Sequence, residues 1–168
     1  MIEDVFAILG DKHQVCVEVM SDVAAVTNIG VWFPDLVRQH DFIAHEDLKI
    51  SNMVKAPTPK PDPETPGTFL PNGAAAKAGL NHSISDAGWG VFLTVLHAKA
   101  ESAGREVIAV DPRNTSRTCP ECGHVSAENR PTQEKFACVS CGHSTHADTV
   151  GALNVLRAGL VRRDANRA

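Results

Sequence analysis

The chain has 168 residues and a formal net charge of −4, with 43% hydrophobic residues, 5% aromatic residues and no Tyr. That apolar content suits one modest core and excludes wholesale disorder, and the shortage of aromatics argues against a surface that stacks single-stranded bases. The opening MIEDVFAILG is acidic where a signal peptide would be basic, and no apolar run reaches membrane-spanning length, so a soluble cytoplasmic protein is expected.

In chain order, HQVCVEVM (13–20) alternates valines with other residues as a half-buried strand does. DFIAH (41–45) is a second short strand candidate running into Glu46 and Asp47. Six of the ten prolines fall between Ala56 and Gly73; proline lacks a ladder donor, so 56–73 reads as an extended loop. Ser83 to Asp86 (SISD) reads as a capping box opening a helix, with Trp89, Phe92, Leu93, Leu96, Ala100 and Ala103 on one apolar stripe. Gly104 ends that helix, and EVIAV (106–110) is a buried strand; helix followed by strand predicts an α/β layer. A last helix is expected from about Ala147 to Leu160.

Charge is uneven. Residues 1–104 carry 7 Lys and Arg against 13 Asp and Glu, while residues 105–168 carry 9 against 7. The second part also holds four of the five cysteines, in two Cys-x-x-Cys-Gly pairs: Cys119 with Cys122, and Cys138 with Cys141. A two-residue gap lets both sulfurs of a pair reach one ion, and two pairs supply a closed tetrahedral site. Zinc is the expected metal and iron in a rubredoxin-like site the alternative. Such a short loop needs a metal to hold its shape. His124, His143 and His146 read as polar loop residues, and Cys16 as a buried small hydrophobe.

Two acids flank this loop: Glu46 after a strand in HEDLKISNM, and Asp148 at the head of the last helix in HADTVGALN. Taken alone, Glu46 reads as a loop acid and Asp148 as a helix cap. However, HEDLKISNM, NHSISDAGWGVF, VIAVDPRNTSRTCPECG and FACVSCGHSTHADTVGALNVL together resemble the OrfB/TnpB family of insertion-sequence transposase-associated proteins, from about Asp35 to Leu160.

That resemblance implies a partial RNase H-like (RuvC-like) fold over 35–115 and 145–160, with an inserted four-cysteine zinc ribbon at 116–144 and a tail at 161–168. It implies catalytic roles for Glu46 and Asp148, magnesium as the catalytic metal, zinc on the four cysteines, and DNA and guide RNA as partners in a bacterial or archaeal cytoplasm. Hard carboxylate oxygens suit two-metal phosphodiester hydrolysis. Arg113, Arg117 and Arg130 are candidates for phosphate contact. The family's first acid, on an early strand in a D-x-G-like setting, has no counterpart here; Asp4 and Asp11 do not fit it. Residues 1–34 match nothing in the family pattern. The expectation is an N-terminally truncated member that cleaves DNA poorly or not at all by itself. The alternatives are a non-catalytic zinc-ribbon module that binds nucleic acid, and a decayed fragment.

Overall fold

The computed structural model describes residues 14–17, 36–86 and 88–168, with backbone alone for 14–17, 83–86 and 89. Its strands are β1 (Gln14–Val17), β2 (Phe42–Glu46), β3 (Lys60–Pro61), β4 (Phe69–Leu70), β5 (Glu106–Val110), β6 (Lys135–Ala137) and β7 (Ser144–His146). Its helices are α1 (Ile50–Met53), α2 (Ala74–Asp86), α3 (Trp89–Ser102) and α4 (Ala147–Arg167). No helix among the described residues is long and apolar enough to cross a membrane. The fold is α/β, as expected, and forms two compact units, one within Met1–Leu48 and Val95–Ala168, the other within Lys49–Thr94.

In the first unit, β1, β2 and β5 form a parallel sheet in that order. Val15 pairs with Ile43, and Glu46 pairs with Val110. Both β2 and β5 are too apolar to face water on two sides. Phe42 and Ala44 of β2 join Ile108 and Val110 of β5 in a core closed by Ala152, Val155 and Leu156 of α4. The helix lies close against the strand because residue 159 is glycine: a Cβ there would sit 2.8 Å from that of Ala44 and 3.1 Å from the Phe42 ring.

α4 runs against the strand direction. Near its end, Arg167 meets Glu106 at the start of β5 (2.7 Å), and Arg162 donates to the Ala109 carbonyl (2.8 Å). Nearer its start, Asn154 reaches the loop beyond β5. The helix N-terminus therefore stands at the carboxyl end of the strands, where ligands bind in open α/β sheets. The helix also continues through 161–167, the span expected as a tail, and Arg162 and Arg167 hold it to the sheet.

In the second unit, the proline-rich run folds into a minimal hairpin rather than an uninterrupted loop. Lys60 pairs with Leu70 and Pro61 with Phe69, and Gly67 takes φ 89° between them. The segment 83–86 is the last turn of α2, not the first turn of the next helix. The Ala-rich run from Ala74 propagates helix through it, after Asn72 Oδ1 accepts the Ala74 N–H (3.2 Å), and Gly88 at φ 61° makes the break. The side chains of that capping box, of Trp89 and of Cys16, together with residues 1–13 and 18–35, lie outside the described residues.

Candidate metal centre and its acidic flank

Each cysteine pair is closed by its own backbone. Gly123 N donates to Cys119 O and Gly142 N to Cys138 O (2.9 Å each), with both glycines at positive φ, 74° and 78°. Cys119 N and Cys138 N in turn donate to the carbonyls of His124 and His143 (2.9 and 2.8 Å). Each pair is thus a tight knuckle presenting two sulfurs on one side.

The knuckles face each other. Cys119 Sγ lies 3.6 Å from Cys141 Sγ, and Cys122 Sγ lies 3.6 Å from Cys138 Sγ. All four sulfurs fall within 4.8 Å of one another. A tetrahedron with metal–sulfur bonds of about 2.3 Å has edges of about 3.8 Å, so the donor set fits a single ion. Cys119 and Cys138 are buried while Cys122 and Cys141 are exposed. Burial works to raise the Cys138 thiol, but the N–H groups of Cys141 and Ser140 and the thiols of Cys141 and Cys122 outweigh it and hold it down at about 6.

The ribbon is seated on the head of α4. Cys119, Phe136 and Cys138 share a buried cluster with Ala147 and Val150, and Ala147 N donates to Glu134 O (2.7 Å). Arg157 reaches back from the helix to the carbonyl of Pro120 (2.5 Å).

Glu46 ends β2 on the same side of the strand as Phe42 and Ala44, by the two-residue alternation, and so faces α4. The buried hydroxyl of Thr115 lies within donating reach of the Glu46 carboxylate (3.1 Å) and of the Pro112 carbonyl (2.9 Å), which share its one proton. Desolvation pushes the Glu46 carboxyl above its ordinary range, and the Thr115 bond offsets part of that rise. Asn154 donates both amide hydrogens into this loop, to Thr115 O (2.7 Å) and Thr118 O (2.8 Å). A continuous path Glu46–Thr115–Asn154 therefore joins the strand end to α4.

Asp148 lies on the sheet-facing stripe of α4, one turn before Ala152, with Val155, Leu156 and Gly159 further along. It does not cap the helix: His146 is the N-cap, its Nδ1 accepting from Asp148 N (3.4 Å), and Asp148 stands in the first turn, where the helix dipole favours an acid. From Gly159 on Ala44, α4 climbs eleven residues to Asp148 while β2 climbs two to Glu46, an axial offset of about 10 Å. Both acids thus lie toward the same end of the sheet, with Asp148 beyond the end of β2. Asp148 is met by Arg130 (3.8 Å) and His146 (3.6 Å).

The three arginines differ. Arg113 pairs with Asp111 (2.7 Å), Arg130 is tied to Gln133 O and Asp148, and Arg117 has an exposed side chain on the approach to the first knuckle. Sequence reading passed over Thr115, Asn129, Asn154 and the pair His45–His97, whose Nε2 atoms are 3.2 Å apart. Only Asn154 carried a signal, as the last residue of HADTVGALN.

A family model described as "Cas12f1-like, TNB domain" matches residues 89–155, which span α3, β5, both knuckles and the head of α4. InsQ of Escherichia coli (strain K12), provisionally named an RNA-guided DNA endonuclease, is 43% identical over 124 residues, 73% of this chain. The chain belongs to the OrfB/TnpB-type family.

This OrfB/TnpB-type chain covers 29% of InsQ. The CRISPR-associated endodeoxyribonuclease Cas12f1 of Sulfoacidibacillus thermotolerans is 46% identical over 57 residues, 34% of this chain and 14% of that relative. Among solved structures, a Cas12f1–sgRNA–target DNA complex is similar at TM-score 0.48 and 19% identity, over 78% of this chain and 33% of that one. The chain thus spans less than a third of the curated relatives it matches here.

Proposed function

We propose that this protein is a DNA-binding relative of the RNA-guided endonucleases, built on a partial RuvC-like sheet. Zinc closes its ribbon, DNA and a guide RNA are its partners, and Glu46 and Asp148 are its two catalytic-type acids. The observation that carries the reading is the placement of Glu46 on the α4-facing side of β2 and Asp148 on the sheet-facing stripe of α4, at the same end of the sheet. The four thiolates favour zinc as the soft-ligand metal, held by Cys119, Cys122, Cys138 and Cys141 as a closed structural site.

The fit for magnesium is incomplete. The cysteine set is the cluster of three or more possible ligands among the described residues, and Asp148 already faces the Arg130 guanidinium and the ring of His146. Two carboxylates are fewer than the three acids that the family resemblance implies, and we infer that the isolated chain cleaves DNA poorly or not at all.

The test of nucleic-acid function is binding of labelled DNA and RNA to the zinc-loaded chain across a salt series. Affinity at low salt that falls steeply as salt rises is expected, since phosphate contacts release counterions. No affinity for either nucleic acid at any salt contradicts the reading and leaves a decayed fragment. Arg117, exposed beside the first knuckle, favours the ribbon as part of the contact surface.

A further inference from the structure

Thiols aside, the hydrogen bonds that join the two knuckles among the described residues run through one side chain, Asn129. It ends the short turn Ala127–Asn129 and is 0% exposed. Its Nδ2 donates one hydrogen to Arg117 O (2.9 Å) and the other to His124 O (3.0 Å). Its Oδ1 accepts from Val139 N (3.0 Å).

The chemistry of these partners matters. His124 O also accepts from Cys119 N (2.9 Å), so it belongs to the closing turn of the first knuckle. Val139 follows Cys138 directly, so its N–H belongs to the second. One rigid planar amide therefore fixes the peptide behind one sulfur pair against the peptide behind the other. A buried amide with both donors and one acceptor position filled has little freedom to let the knuckles drift.

We propose that Asn129 is a positioning residue for the metal centre: it holds the two knuckles at metal-binding separation before an ion arrives. The ion then meets four sulfurs already gathered, and less ordering opposes binding. The proposal rests on the reading of the four cysteines as a metal site. Alanine at 129 removes the acceptor of the Val139 N–H and one donor from each of the Arg117 and His124 carbonyls, which keep the N–H groups of Ser126 and Cys119. Aspartate keeps the acceptor for Val139 but turns a second oxygen toward the carbonyls of Arg117 and His124.

The experiment is a competitive titration of the full chain with Co²⁺ and Zn²⁺ against a chelating dye, comparing wild type, Asn129→Ala and Asn129→Asp. Hydrogen exchange at the Cys119 and Val139 amides of the metal-free proteins accompanies it. Loss of a partner that orients metal ligands typically weakens affinity about 10–100-fold, and that loss is expected in both variants. At saturation both should show the tetrathiolate cobalt spectrum, and without metal Asn129→Ala should lose protection at Val139 while keeping it in β2 and β5. If Asn129→Ala never reaches that spectrum, the comparison stands on Asn129→Asp. Affinities within about twofold of wild type in both variants overturn the proposal, as does a metal-free wild type with no protection at Val139. A wild type that never forms the tetrathiolate cobalt complex overturns the metal reading together with it.

Discussion

The hydroxyl of Thr115 sits 3.1 Å from the Glu46 carboxylate, and Asn154 of α4 holds the same threonine by its carbonyl at 2.7 Å. The strand that ends in Glu46 and the helix that begins near Asp148 are thereby tied through one residue of the loop after β5. The protonation state of Glu46 is coupled to how well that tie holds.

Burial raises the Glu46 carboxyl above the ordinary value of 4.5, so folding is less favourable with it ionised than with it protonated. For an acid raised on folding, the destabilisation is absent below the unfolded value and fully present above the folded one. Glu46→Gln, which mimics the protonated form, should match wild-type stability below the ordinary glutamate range and exceed it at neutral pH. Urea denaturation at acidic and neutral pH reads this. Thr115→Val, which removes the hydroxyl that opposes the rise, should move the Glu46 carboxyl further up in a carboxyl titration followed by NMR.

Gly159 is required by the approach of α4 to β2. A Cβ at 159 would stand 2.8 Å from the Ala44 Cβ, and overpacking of this kind destabilises by about 1–3 kcal/mol. Gly159→Ala should lower stability by that amount in equilibrium unfolding, even though alanine is the better helix former. Ala44→Gly in the same chain should recover part of the loss, because the clash is between those two side chains.

Chelation of the ribbon metal should unfold locally. The second core cluster joins Cys119, Phe136 and Cys138 to Ala147 and Val150. The cluster beneath it rests on Phe42, Ala44, Ile108 and Val155 and contains no metal ligand. Hydrogen exchange after treatment with a zinc chelator, or in Cys119→Ser, should speed up through 116–144 and the first turn of α4. The amides around Val155 should keep their protection.

How far these features could be read in advance depended on how local their signals are. The knuckles were plain because two thiols three positions apart, followed by glycine, reach one ion whatever the rest of the chain does. EVIAV was plain because four apolar residues in succession suit a strand in a covered sheet, and Ile108 and Val110 are the two that are buried. Ser83 to Asp86 misled because the same four residues satisfy the first turn of one helix or the last of another, and only the φ of Gly88 decides. Thr115 gave no signal at all. Its hydroxyl reaches Glu46 from a loop that turns through Asn114 at φ 63°, and nothing local to Thr115 marks a contact 69 positions away. The β3–β4 hairpin was hidden by its prolines, since its strands are two residues long and Pro61 sits in one of them.

Arg117 separates a binding role for the ribbon from mere surface charge. Its exposed side chain differs from Arg130, which is engaged with Gln133 and Asp148. Arg117→Ala should weaken DNA and RNA binding uniformly across sequences and flatten the logarithmic salt dependence by about one phosphate contact, a slope change of about 0.9 on duplex DNA. Arg130→Ala should leave that slope unchanged and lower ribbon stability instead.

Nicking of supercoiled plasmid by the purified zinc-loaded chain, with Mg²⁺ or Mn²⁺ and without RNA, bears on whether Glu46 and Asp148 suffice for chemistry. The expected result is no nicking above that of the matched Glu46→Ala protein. Metal-dependent nicking that disappears in Glu46→Ala and in Asp148→Ala would contradict it, and would make the two acids a working site in this chain alone.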